Sequence, residues 1–176
     1  PKKPIDPKNN QKVEQKSEAG SIAPTINQPT IVKNISREDS IKKDKRIKIE
    51  NNSIVGSINL KGAQIDDISF KNHKQKVEGD KNIIFLNPAE TENGFYIETG
   101  WTSVGNKIKI PTKESVWSVK GNNILSENSP IVLQWNNGEG IVFEKKIELD
   151  DKYLFRITQQ VRNNSNASID LYPYAQ

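Results

Sequence analysis

Few side chains in this sequence of 176 residues could do acid–base, metal or nucleotide chemistry, and their spacing is wrong for it. His73 is the single histidine. It sits in KNHKQKVEGDK, a polar stretch that reads as a loop, with no adjacent acid to orient its imidazole. Asp66-Asp67 and Asp150-Asp151 offer carboxylate pairs, but neighbours on an extended strand point to opposite faces, so neither pair presents two acids to one substrate. Asp150-Asp151-Lys152 reads instead as a turn in which an aspartate accepts from the backbone. Neither pair has the alternating oxygen ligands and glycine of a calcium loop. The glycines of Asn137-Gly138-Glu139-Gly140 are not followed by the helix that a phosphate cradle needs. With no cysteine there is no disulfide and no thiolate metal site, and the compartment is left open. The residues therefore point to a protein that is not an enzyme and carries neither cofactor nor metal.

Tryptophan is the remaining candidate. Trp101, Trp117 and Trp135 have faces suited to stacking on a sugar or an apolar peptide. Sandwich cores use the same residue, so Trp101 and Trp117 stand as a candidate partner or ligand surface against the alternative of core or core rim.

The elements that must position these residues are strands. In Trp135 to Asn163, Ile141, Phe143, Ile147 and Leu149 fall on one face of an extended segment, and Tyr153, Phe155, Ile157 and Val161 on one face of the next. A period of two fixes an antiparallel ribbon with one face buried. Glu144, Lys146, Glu148, Arg156 and Arg162 alternate with the apolar positions and form a solvated face. Upstream, RIKIE (46–50) and SIVGSINL (53–60) flank Asn51-Asn52 as a first hairpin. In QIDDISF (64–70), Ile65 and Ile68 break strict alternation, which predicts a bulge or bend. NIIFL (82–86) reads as a short buried strand, and GFYIETGW, ESVWSVK and PIVLQW as further short strands. Pro173 assigns the last strand, IDLYPYA, or its final part, to a sheet edge. No amphipathic helix is predicted. The pattern is that of an all-β sandwich.

All twelve aromatic residues lie between Phe70 and Tyr174, while the first forty-odd residues are rich in Lys, Asn, Gln, Pro and Ser. Such a segment cannot bury enough apolar surface to offset its ordering entropy. Residues 1–44 are thus expected to be a disordered linker, and 45–176 a single sandwich domain. The arm holds nine Lys or Arg against six Asp or Glu, leaving seventeen against sixteen in the domain. The net charge of +4 therefore gives no electrostatic footprint for nucleic acid. A chain beginning at Pro1 with no methionine is expected to be a piece of something longer, whose preceding part could include a membrane segment.

One ordered set of motifs resembles a known family. The Asn-Gly-x-Gly turn, IVFEKKIELD, Tyr153, FRITQQVRN and the closing LYPYAQ resemble the first periplasmic domain of YidC, the bacterial membrane protein insertase. RIKIENNSIVGSINLKGAQIDDISF is similar to the start of that domain, and Val116-Trp117 fits as well. The resemblance implies an antiparallel β-supersandwich of the galactose-mutarotase-like kind. It also implies that residues 1–44 follow an absent N-terminal membrane helix and that the domain is tethered on the periplasmic side of the inner membrane of a Gram-negative cell. It further implies a non-catalytic scaffold that assists insertion and folding of inner-membrane proteins, with client proteins and Sec translocon components such as SecDF as partners. Fold kinship to mutarotases raises a carbohydrate-binding or mutarotase-like alternative, against which the single histidine weighs, since such chemistry needs histidines with a carboxylate base. A further reading makes the groove of the sandwich a surface for apolar client segments.

Overall fold

In the computed structural model, which describes residues 35–105 and 108–176, the strand ribbon at the centre of the sequence pattern is the backbone of one sheet. β9 (Ile141–Leu149) pairs antiparallel with β10 (Phe155–Asn163) without a register break, from Ile141 opposite Asn163 to Leu149 opposite Phe155. Asp150 Oδ1 closes the turn by accepting from the backbone N–H of Lys152 at 2.9 Å and of Leu154 at 2.8 Å. Those N–H groups hold the Asp150 carboxyl below its ordinary pKa. Tyr153 belongs to this turn and not to the strand face with Phe155, because β10 starts only at Phe155. β8 (Ile131–Asn136) and β6 (Ser118–Lys120) complete a four-stranded sheet of order β10-β9-β8-β6.

The second sheet grows from the first hairpin. β1 (Arg46–Glu50) and β2 (Ile54–Asn59) pair antiparallel, followed by β3 (Gln64–Lys74) and β4 (Asn82–Leu86). β7 (Ile124–Leu125) adds to the free side of β1 as the one parallel pairing among the named strands, giving the order β4-β3-β2-β1-β7. β5 (Thr99–Ser103) pairs with β11 (Leu171–Ala175) as a two-stranded ribbon, with Pro173 opposite Trp101. A two-stranded ribbon consists of edges only, where a residue without an N–H is tolerated. Ile49, Ile54, Ile58 and Ile65 of one sheet and Ile131, Leu133, Ile141 and Phe143 of the other belong to one buried cluster, so the molecule is an all-β sandwich.

Three local features differ from the sequence expectation. The predicted bulge is present at Asp66 of β3, where Asp67 pairs with Ser57 and Ile65 with Ile58 and Asp66 is left over, but the acids beside it are not placed as expected. One extra residue brings Ile65 and Ile68 both into the core and turns both acids to the other side. The expectation that they point apart is therefore corrected: Asp66 pairs with Arg46, Asp67 pairs with Arg37, and Ser57 Oγ donates to Asp67 at 2.5 Å while accepting from Arg46 Nε at 2.7 Å. Arg37 comes from a helix that was not predicted, α1 (Arg37–Lys43). Its N-cap is Ser36, whose Oγ accepts from Asp39 N at 3.1 Å, with Glu38 and Asp39 in the first turn and Lys42 and Lys43 in the last. This helix occupies part of the stretch expected to be linker; residues 1–34 of that stretch lie outside the described residues. The third difference is NIIFL, which forms β4 at the sheet edge and leaves Ile83, Ile84 and Phe85 exposed, with only Leu86 buried.

The two sheets are joined at one end by the turn of the first hairpin. Asn51 is buried; its Oδ1 accepts from Ser53 N and Ile54 N, both at 2.8 Å. Its Nδ2 donates across to the backbone oxygens of Asp150 and Lys152, both at 2.9 Å, and Ser53 Oγ donates to Asp151 O at 3.3 Å.

Candidate functional site

The candidate tryptophans come first. Trp101 is 5% exposed and Trp117 3%, their rings are stacked with centroids 6.4 Å apart, and Phe143 meets Trp101 edge-on at 5.1 Å. The rings expected as a partner or ligand surface are thus both buried. β5 and the segment entering β6 turn them inward, where they fill the core.

Beneath them lies a residue that the charge pattern hid. Lys145 is on the inward register of β9, in line with Phe143 and Ile147, and is 1% exposed. Its Nζ donates to Thr99 O at 2.5 Å and lies 4.9 Å from the centre of the Trp117 ring, a cation–π contact. Burial lowers its pKa to about 8, with the charge of Glu98 opposing. Strict counting along the strand, with odd positions inward, was the signal that could have found it. Nearby, Tyr174 donates to Glu98 Oε1 at 2.8 Å and Gln64 to Glu98 Oε2 at 2.5 Å. Burial and Glu98 raise the Tyr174 pKa above its ordinary value.

His73 lies on β3, which runs on to Lys74, and not in a loop. Its ring meets Phe70 edge-on at 5.4 Å and Tyr153 at 6.4 Å. Phe70 is the hub of this cluster, with Phe85 at 5.4 Å and Tyr153 at 5.5 Å; Phe95 continues it from Phe85 at 6.1 Å. Phe70, His73, Phe85 and Tyr153 wall an open groove of about 430 Å³, floored by Ile54, Ile68 and Leu86. Strand geometry explains the arrangement. Ile83 and Phe85 share one face of β4, and the Asp150–Leu154 turn brings Tyr153 against the end of β3. The groove offers apolar and aromatic contact.

Three of the four paired acids do structural work. Asp66 and Asp67 hold α1 and β1 to β3, and Asp150 closes a turn. Burial raises the Asp66 pKa, with Arg46 opposing. Among the described residues no group of three or more His, Asp or Glu is placed to hold a metal ion, and no helix is long and apolar enough to cross a membrane.

The family model for the YidC periplasmic domain matches residues 46–176. The chain is 40% identical over 173 residues to the membrane protein insertase YidC of Pelagibacter ubique, a match covering 98% of the chain and 31% of that protein. It is 37% identical over 142 residues to the insertase of Methylorubrum extorquens, covering 80% of the chain and 23% of the relative. Against that of Jannaschia sp. it is 38% identical over 131 residues, covering 73% and 21%. The chain thus spans less than a third of the length of each of these relatives. The family match runs from the first residue of β1 to the end of β11 and takes in every named strand, so the chain belongs to the YidC periplasmic domain family.

Proposed function

We propose that this domain is a non-catalytic interaction module of a membrane protein insertase, held at the periplasmic face of the inner membrane by the rest of a longer polypeptide. In that role it assists insertion and folding of inner-membrane proteins, and its partners are those client proteins together with Sec translocon components such as SecDF. The observation that carries this reading is the family match across the whole sandwich. The site geometry agrees with it: Asp66, Asp67 and Asp150 are spent on structure, and the one histidine packs on aromatic rings. The carbohydrate alternative draws no support from the relatives, and Trp101 and Trp117, two of the three tryptophans that motivated it, are buried.

The test is an insertase of full length with photo-crosslinking residues at exposed positions such as Val104 and Val116. Crosslinks to a translocon component or to a membrane protein under synthesis are expected, and removal of residues 46–176 should slow insertion of at least one client. Unchanged insertion with no such crosslinks sinks the proposal. Titration with mono- and oligosaccharides is expected to leave tryptophan fluorescence unchanged; a saturable change centred on Trp101 or Trp117 would restore the sugar reading.

A further inference from the structure

We infer that the groove beside β4 receives an extended, uncharged apolar polypeptide segment, which adds to the sheet along the free edge of β4. This rests on the insertase reading above and names the chemistry of the partner.

The first support is the edge itself. β4 is the terminal strand of its sheet, and its pairing with β3 is broken by two register irregularities. Among the described residues its outer edge has no strand partner, and such a row of backbone donors and acceptors is a template for another extended chain. The second is the alternation next to that edge. Ile83 and Phe85 face the groove, Phe85 being 48% exposed, and Tyr153 on the far wall is 46% exposed. A strand added to β4 projects every second side chain on the face that carries Ile83 and Phe85, toward the groove. The volume of about 430 Å³ lies within the range of roughly 300–1,000 Å³ typical of binding pockets.

The third support is charge. The lining contains no carboxylate and no ammonium. The lysines beside His73 on β3 are engaged elsewhere: Lys71 Nζ donates to Glu50 Oε1 at 2.9 Å and to Asn51 O at 2.7 Å, and Lys74 Nζ to Asp80 O at 3.0 Å and to Asn82 Oδ1 at 2.7 Å. A charged side chain entering the groove would be desolvated without a partner, while an apolar one meets aromatic faces. The groove thus selects segments free of formal charge, which is the character of a segment destined for a bilayer.

The test titrates the chain with two short synthetic peptides carrying terminal lysines for solubility, one alternating leucine with serine and the other with aspartate in place of each leucine. Binding is followed by backbone amide shifts and hydrogen exchange over Asn82–Leu86. The leucine peptide is expected to bind, to slow exchange along β4, and to lose affinity by about tenfold or more in Phe85→Asp while keeping it in Phe85→Leu. Tyr153→Ser, on the opposite wall and outside any strand, should weaken binding too, and so guards against a misfolded β4. Equal binding of the aspartate peptide, or affinity unchanged in both Phe85→Asp and Tyr153→Ser, overturns the inference. So does sedimentation showing that a second copy covers the face, or protection of Phe85 by another part of the full-length protein. These outcomes leave the insertase reading standing, since that reading is tested separately by crosslinking and by removal of residues 46–176.

Discussion

An ammonium group in the middle of a sandwich has to be solvated by the protein. Lys145 has one carbonyl, that of Thr99, and one indole face to replace its water shell. The lowering of its pKa from 10.5 to about 8 corresponds to roughly 3 kcal/mol of cost to the folded state at neutral pH. Below about pH 8 both states are protonated and the cost is present in full. Between about 8 and 10.5 the unfolded chain binds the proton that the folded chain has released, so stability rises with pH through that window. Tyr174 acts in the opposite direction, because its raised pKa makes the folded state lose stability as pH rises above the ordinary tyrosine value of 10.0. Urea unfolding is therefore expected to show a stability maximum close to pH 10. Lys145→Met should raise stability at pH 7 by about 1–2 kcal/mol, the loss of the bond to Thr99 partly offsetting the relief, and should abolish the rise between pH 8 and 10. A wild-type profile that is flat over that interval would rule out this account of Lys145.

At the level of elements, the β3 bulge at Asp66 is the device on which most of the second sheet depends. Gly56 lies opposite it, and a Cβ there would sit 1.8 Å from Asp67 O, inside any contact distance. Gly56→Ala is expected to cost more than about 3 kcal/mol, read from denaturant midpoints, because β2 and β3 cannot separate without losing both acid–arginine pairs. Helix α1 has only seven residues and cannot persist alone. Arg37→Ala should accordingly release it, with amide exchange accelerating over Arg37–Lys43 while β9 and β10 stay protected. Equal protection in the variant and the parent would show that the pair with Asp67 does not hold the helix. These elements also mark what was legible beforehand. The β9–β10 ribbon, the Asp150 turn, the bulge and the marginal place of Pro173 were readable because period, turn chemistry and missing donors are local properties. Helix α1 was not, since seven residues give no amphipathic period; the Ser36-x-x-Asp39 capping pattern was its one local sign. That NIIFL lies at an edge depends on which strands flank it, so an apolar run looks the same in either place. The groove beside it was hidden for the same reason. Lys145 was overlooked because charged residues around it do face solvent, and only its odd position in the strand sets it apart.

On the scale of the whole molecule, the sandwich is fastened at one end by the first hairpin and covered on its outer side by α1. Asn51 makes four of the bonds at that fastening, two within its own turn and two across to the β9–β10 turn. Asn51→Ala should therefore cost roughly 2–4 kcal/mol, measurable as a fall in thermal midpoint, and should cost more than Asn52→Ala, whose site is exposed. Equal effects at the two positions would show that the cross-sheet bonds carry little of the stability. Asn51, Asn52 and Ser53 also spell the acceptor sequence for N-linked glycans. A eukaryotic secretory host attaches the sugar to such an asparagine while the chain is still being made. Attachment would occupy the amide nitrogen that must donate to Asp150 and Lys152, so the host's own quality control would meet a sandwich that cannot be fastened. Production of this domain belongs in bacteria or in a cell-free system, where that nitrogen stays unmodified.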